Sequence, residues 1–475
     1  MSFPKTFFWG AASASYQIEG GAFEDGKGLS IWDSFTHTPG KTFNGQTGDQ
    51  SCDAYHRYEE DLDLLEELGI KNYRFSLSWP RVIPDGSGKV NPAGLAYYDR
   101  LVDGCLKRGI TPWITLYHWD LPRALYLKGG WLNRDTAYAF SHYASVIAEH
   151  FSGRVNHFMT INEPQCVIGL GHLAAVHAPG THLSDEDMFL SWHHLMLAHG
   201  LAVQAIRKVL PSARIGLAST GKLAYTCRRD IPTPEDLVQA SFHTSEAEAG
   251  ENYFFNHQWF LDPVCFGHYP EDPESPCYPF AAMVKEEDLE IISAPIDFIG
   301  LNIYNGFEME PVPAGQDKKS TSPSEGTQEN QPSPADSYSA VEKYPGYPRT
   351  ALKWPVTPEI LYWGPRLIYE RYGLPMVIAE NGQSCNDRIF LDEEVHDPDR
   401  IDFLHRYLLE LKAAVEDGIP VTGYFHWSFT DNLEWHSGYD DRFGLIYIDY
   451  RNLRRIPKDS ARWYSQMIRR NGSDL

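Results

Sequence analysis

Short apolar runs alternate with amphipathic helical stretches about eight times along the chain, and that alternation limits the folds open to it. The runs are "FFWGAASA", "NYRFSLSW", "PWITLYHW", "HFMTINE", "RIGLAST", "IDFIGLNIY", "PMVIAENG" and "VTGYFHWS". Between them, "DAYHRYEEDLDLLEELG" stops at Gly69 and "RIDFLHRYLLELKAAVEDG" at Gly418, as helices closed by a glycine do. Runs that are apolar on both faces suit parallel strands covered by helices. Eight strand-helix units are what a (β/α)8 barrel requires. A doubly wound open sheet is the competing architecture, but no glycine-rich phosphate turn follows the first run. The expectation is an α/β fold: one (β/α)8 TIM barrel domain spanning residues 1–475, with extended loops after its strands.

One segment departs from the alternation. Residues 311–340, "PVPAGQDKKSTSPSEGTQENQPSPADSYSA", hold too few apolar side chains to offset the entropy of ordering them, which predicts a long mobile loop after the sixth strand. Over the whole chain 42% of the residues are hydrophobic, enough for a packed core, and no run approaches the roughly 18 apolar residues of a membrane span. The start, "TFFWGAASAS", makes a poor secretory leader, with Lys5 as its only basic residue. Seven cysteines without CxxC spacing indicate neither a disulfide framework nor a zinc site, so a cytoplasmic location is expected. A net charge of -23 argues against nucleic acid or an anionic membrane as partner. Nothing in the sequence reports an oligomeric state.

Barrels of this type carry their active sites at the C-terminal ends of the strands. There the sequence places Gln17 after the first run, Arg74 in the second, His118, Trp119 and Asp120 after the third, and Asn162 and Glu163 after the fourth. Asn302 and Tyr304 follow the sixth, Glu380 and Asn381 the seventh, and Trp427, Glu434 and Trp435 the eighth. Taken singly, each glutamate suits a cap or ion pair and each ring suits a core. Together, two glutamates, a guanidinium, amides and aromatic rings make the lining of a sugar pocket, since amides and carboxylates bind hydroxyls while rings stack on C–H faces.

Nearly the whole chain resembles the family 1 glycoside hydrolases, the β-glucosidase family. The likeness runs through "FFWGAASASYQIEGG", "YRFSLSWPRVIP", "LYHWDLP", "TINEP", "DFIGLNIY", "AENG", "HWSFTDNLEW" and "GYDDRFGLIYID". Ala379, where the family usually has Thr, and the loop at 311–340 depart from it. The resemblance implies that Glu163 is the general acid and base and Glu380 the nucleophile of a retaining β-glucosidase. In such enzymes two carboxyls about 5–5.5 Å apart flank the anomeric carbon. Arg74 and Tyr304 would then favour an ionised Glu380, whose charge would in turn keep Glu163 protonated. Asn302 would support the pair, and Asn162 would reach the sugar 2-hydroxyl. Gln17, His118, Trp119, Glu434 and Trp435 would bind other parts of the sugar above a Trp427 platform, next to a cis peptide between Trp427 and Ser428. Cys166, Trp354 and Phe443 are expected at the entrance, where the leaving group sits. Neither metal nor organic cofactor is implied; the partner is a small-molecule β-glycoside.

Glu434 would accept hydrogen bonds from the 4- and 6-hydroxyls of the hexose and repel a 6-phosphate. Relatives that cleave 6-phosphoglycosides carry Ser near Glu434, and Lys and Tyr where this chain has Asp441 and Phe443. Glu163 itself argues against the thioglucosidases, which have Gln there. β-Galactosidase, β-fucosidase or 6-phospho-β-glucosidase activity on the same fold are the nearest alternatives. A sugar-binding protein without catalysis is the alternative of another class, and the presence of both carboxylates weighs against it.

Overall fold

The computed structural model describes residues 2–243, 254–275, 277–312 and 337–475. Eight parallel strands close a barrel: β1 (Phe8–Ser13), β2 (Asn72–Ser76), β3 (Thr111–Tyr117), β4 (His157–Asn162), β5 (Arg214–Thr220), β6 (Phe298–Asn302), β7 (Met376–Asn381) and β8 (Val421–Trp427). Each pairs with its sequence neighbour, and β8 returns to β1 with Ala12 opposite Trp427. All eight apolar runs of the sequence supply a barrel strand. The helices Ala54–Leu68 and Pro398–Glu416 stop as expected, at Gly69 with φ 74° and just before Gly418 with φ 89°. No helix among the described residues is long and apolar enough to cross a membrane.

Two apolar clusters hold this arrangement together. The larger lies between barrel and helices; the smaller fills the barrel with Trp113, Phe298, Phe425, Met159 and Val377. The Trp113 ring sits 4.9 Å from Phe8, 5.7 Å from Phe298 and 5.3 Å from Phe425, so aromatic side chains plug the interior and leave its C-terminal end for polar groups. Space there is tight. A Cβ on Gly382, just past β7, would run into the carbonyl oxygen of Trp427.

Most of the predicted loop at 311–340 lies outside the described residues, which resume at 337. Its two ends are strands: Phe307–Pro311 pairs antiparallel with Tyr338–Ala340, bringing Pro311 opposite Tyr338.

Register shifts near the tips of β4 and β7 matter most for function. Met159 packs inside the barrel, and simple alternation would send Ile161 inside as well. Instead Ile161 joins the outer cluster, because the pairing of β4 with β5 slips between Met159 and Asn162. On β7, Val377 and Ala379 face inward, and a slip between Ile378 and Glu380 sets Glu380 opposite Asn302. Such irregularities re-aim side chains at strand ends. Here they turn two carboxyls toward the barrel mouth.

Candidate active site

Arg74, on β2, is buried at the centre of the site and organises it. Its Nη1 donates to Glu380 Oε1 at 2.6 Å and to the Ala379 carbonyl at 3.0 Å, Nη2 donates to Asn162 Oδ1 at 2.6 Å, and Nε donates to Thr115 Oγ1 at 3.0 Å. Tyr304 donates its hydroxyl to the other Glu380 oxygen at 2.7 Å. Glu380 therefore has a cation on one oxygen and a phenol on the other. Glu163 has no such cation: Asn302 Nδ2 donates to its Oε1 at 2.8 Å and the Cys166 thiol to its Oε2 at 3.1 Å.

Burial raises the affinity of both carboxyls for a proton. Glu163 is pushed up to about 7, by burial first and by the charge of Glu380 second, against the opposing bonds from Asn302 and Cys166. At Glu380 burial also wins, so its shift is upward although Arg74 and Tyr304 pull it down. The sequence anticipated the pull of Arg74 but not the larger cost of desolvation. The guanidinium favours the ionised form of Glu380 over that of Glu163.

Asn162 links the remaining polar groups. Its Oδ1 also accepts from Asn302 Nδ2 at 3.1 Å, its Nδ2 donates to His118 Nε2 at 3.1 Å, and its backbone carbonyl accepts from Trp119 Nε1 at 2.9 Å. Burial, followed by the charge of Arg74, keeps His118 neutral by lowering its pKa well below the usual range. Gln17 spends its amide on Asn432 Oδ1 and the Leu433 carbonyl, at 3.1 and 2.8 Å, leaving its buried Oε1 without a partner among the described residues. Glu434 Oε2 is likewise unpartnered, and burial with the charges of Asp441, Glu380 and Glu163 raises its pKa well above the ordinary value. These two free acceptors are what a ligand rich in hydroxyls can satisfy.

Aromatic rings form two groups. Trp427 lies 5.7 Å from His118 in a stacked arrangement, Trp435 packs on Trp119 at 4.5 Å, and a cis peptide joins Trp427 to Ser428. Trp354 and Phe443 gather around Tyr304, at 5.2 and 6.1 Å. Cys166, expected at the entrance with those two rings, donates its thiol to Glu163, because the short helix Pro164–Ile168 returns its side chain to the glutamate three residues earlier. Asn381 turns away from the pocket: it donates to the Ile303 carbonyl and accepts from Tyr424. Three site residues hold left-handed backbone without being glycine: Trp119 (φ 77°), Glu163 (φ 44°) and Trp435 (φ 51°). Backbone of that kind persists where the surroundings fix it, and it concentrates at functional sites. Sequence reasoning missed Thr115, which the alternation of β3 could have placed beside Arg74, and Gln165, which carries no motif signal.

Comparison with known proteins decides the family, since the profile of Glycosyl hydrolase family 1 matches residues 1–473. The chain belongs to glycosyl hydrolase family 1. It is 41% identical to the 1,4-beta-D-glucan glucohydrolase of Thermotoga neapolitana, over 99% of each chain. Identity to Beta-glucosidase A of Thermotoga maritima is 40%, over 99% of this chain and 98% of that one. Among solved structures, the Thermotoga maritima β-glucosidase in complex with deoxynojirimycin superposes with a TM-score of 0.84 at 39% identity, covering 99% of both chains. The pocket holds two carboxyls, one of them clamped by a guanidinium, and acceptors on the β1 and β8 sides that no described residue satisfies.

Proposed function

We propose that the protein is a retaining β-glucosidase that removes terminal β-D-glucosyl residues, with Glu380 as nucleophile and Glu163 as general acid and base. The observation that carries this reading is the unequal environment of the two carboxyls. Glu380 is bonded by Arg74 and Tyr304, whereas among the described residues Glu163 receives an amide and a thiol, and burial with the charge of Glu380 pushes it up to about 7. An ionised nucleophile beside a protonated acid is the starting state of double displacement.

In the first step a Glu380 oxygen attacks the anomeric carbon while the bond to the leaving oxygen breaks, and Glu163 gives that oxygen its proton. The product is a glycosyl ester of Glu380, in which the negative charge opposite Glu163 is gone. Glu163 then holds its proton less tightly and becomes a carboxylate base. It takes a proton from water as the water oxygen attacks the anomeric carbon, and Glu380 leaves ionised, returned to Arg74. Asn162 supports the sugar 2-hydroxyl with its remaining amide hydrogen. His118, Gln17, Trp119, Trp435 and Glu434 bind the rest of the ring over Trp427, and Trp354 and Phe443 flank the leaving group. Asn302 holds Glu163.

An unmodified hexose is the substrate class that Glu434 favours. It is buried among carboxylates, so a 6-phosphate would add negative charge where negative charge is already costly. We place catalysis in one barrel unit spanning the chain, acting in a reducing cytoplasm, a location supported by seven free thiols of which Cys52, Cys105, Cys166 and Cys277 are buried. Initial rates on the 4-nitrophenyl β-glucoside, α-glucoside, β-galactoside and 6-phospho-β-glucoside test the assignment. Preference for the β-glucoside is expected; faster cleavage of the 6-phosphate would overturn the role of Glu434. Unimpaired hydrolysis by Glu380→Ala would overturn the nucleophile.

A further inference from the structure

Glu163 is held partly by its own stretch of chain, where the Cys166 and Val167 N–H groups donate to its carbonyl at 3.0 and 3.3 Å, and partly from β5, where the Ala218 carbonyl accepts from its N–H at 2.8 Å. Its backbone is left-handed, at φ 44° and ψ 69°, and the helix that follows has only five residues and no side-chain cap. Pro164, next in line, has no backbone N–H to anchor the turn. Contacts from elsewhere in the fold complete the anchoring of Glu163.

Gln165, fully buried two residues later, makes those contacts with every polar atom it has. Its Nε2 donates to Ser219 Oγ at 2.8 Å and to the Asn256 carbonyl at 3.1 Å, and its Oε1 accepts from the Thr220 backbone N–H at 3.4 Å. Ser219, in turn, bonds His257 Nδ1 at 2.9 Å. The network then returns to the carboxyl: Thr220 Oγ1 donates to the Asn302 carbonyl at 3.2 Å, and Asn302 Nδ2 donates to Glu163 Oε1. Chain and hydrogen bonds thus close a ring through Glu163, Gln165, Thr220 and Asn302.

We propose that Gln165 is a positioning residue, whose amide locks the turn bearing Glu163 onto the tip of β5 and keeps that carboxyl in register with Asn302. A ring closed on both sides of the carboxyl fixes its backbone and its hydrogen-bond donor together. Opening the ring at Gln165 frees the turn to relax, and the proton of Glu163 drifts from the leaving oxygen. The nucleophile, clamped by Arg74 on the opposite side, is untouched. The inference rests on Glu163 being the acid, and its signature is a loss that depends on how much help the leaving group needs.

The test uses the purified full-length enzyme carrying Gln165→Met, assayed on cellobiose and on 2,4-dinitrophenyl β-glucoside, whose phenolate leaves without protonation. On cellobiose kcat/KM is expected to fall about 10- to 100-fold, the cost of misplacing a catalytic group by about 1 Å. On the dinitrophenyl substrate it should change by less than about threefold, since general acid catalysis is not drawn on there. The ratio of the two rates on one preparation does not depend on how much protein is correctly folded. Ser219→Ala, which removes a single partner, should move the ratio the same way by a smaller factor, and it carries the test if the methionine variant does not accumulate. A ratio equal to that of the parent, whether both rates fall or neither does, overturns the proposal. Glu163→Ala in the same assay separates the two ideas: if it too leaves the ratio unchanged, the acid assignment is at fault rather than the role of Gln165.

Discussion

Neutralising Glu380 should release the proton of Glu163, and Glu380→Gln does this with almost no change of shape. Two unit charges about 5–5.5 Å apart, the separation that retention demands, interact by about 3 kcal/mol at an effective dielectric of about 20. That is equivalent to about 2 pK units. Burial remains in the variant and is the larger cause of the upward shift at Glu163, so its pKa should not return fully to the ordinary value. From about 7 in the parent, the pKa of Glu163 should therefore fall to about 5. The assay is a carboxyl carbon-13 titration of the glutamate-labelled enzyme, with the Glu163 signal assigned by its absence from Glu163→Gln. A Glu163 that still titrates near 7 in the variant would refute the coupling. The acid could then not become a base during the reaction by the route described, and the change of role would need another cause.

In the parent, kcat/KM on cellobiose should decline as pH rises through about 7, because Glu163 loses the proton that it must give; a profile flat to pH 9 would contradict this. Cys166→Ala removes a bond that favours the ionised form of Glu163, so the alkaline limb should move upward, while Cys166→Ser should hold it near the parent position. Gly382→Ala should destabilise the fold by about 1–3 kcal/mol or more in urea titration, since the added carbon meets the Trp427 carbonyl; unchanged stability would mean the loop after β7 can yield.

Most of the barrel was legible in the sequence because each strand is a run apolar on both faces, and that pattern survives without knowledge of its neighbours. Strand ends were equally legible as places, so the polar residues there could be gathered into one pocket. Orientation at those ends was not. Glu163 and Glu380 face the mouth through slips in strand pairing, and a slip is a property of two strands that neither sequence declares alone. The thiol bond of Cys166 was hidden for a related reason: as a small apolar residue beside the site it suited a wall, and the return of a five-residue helix is what brings its thiol to Glu163. Gln165 gives no signal in the sequence, since its partners on β5 and at Asn256 lie 54 and 91 residues away.

The pairing of β8 with β1 makes the catalytic centre a late event in the life of the molecule. Gln17, beyond the first strand, takes its orientation from Asn432 and Leu433, beyond the last, 415 and 416 residues onward. While a ribosome is still threading out β8, residues 17, 74, 118 and 163 already exist, yet the pocket has neither its nucleophile's neighbour Trp427 nor its Glu434. At about 5–20 residues per second, the growth of the chain from Glu163 to Glu434 takes tens of seconds. The nascent polypeptide is thus catalytically silent until β8 and Glu434 have been made, and a chain broken off before β8 would have no hydrolytic activity to release.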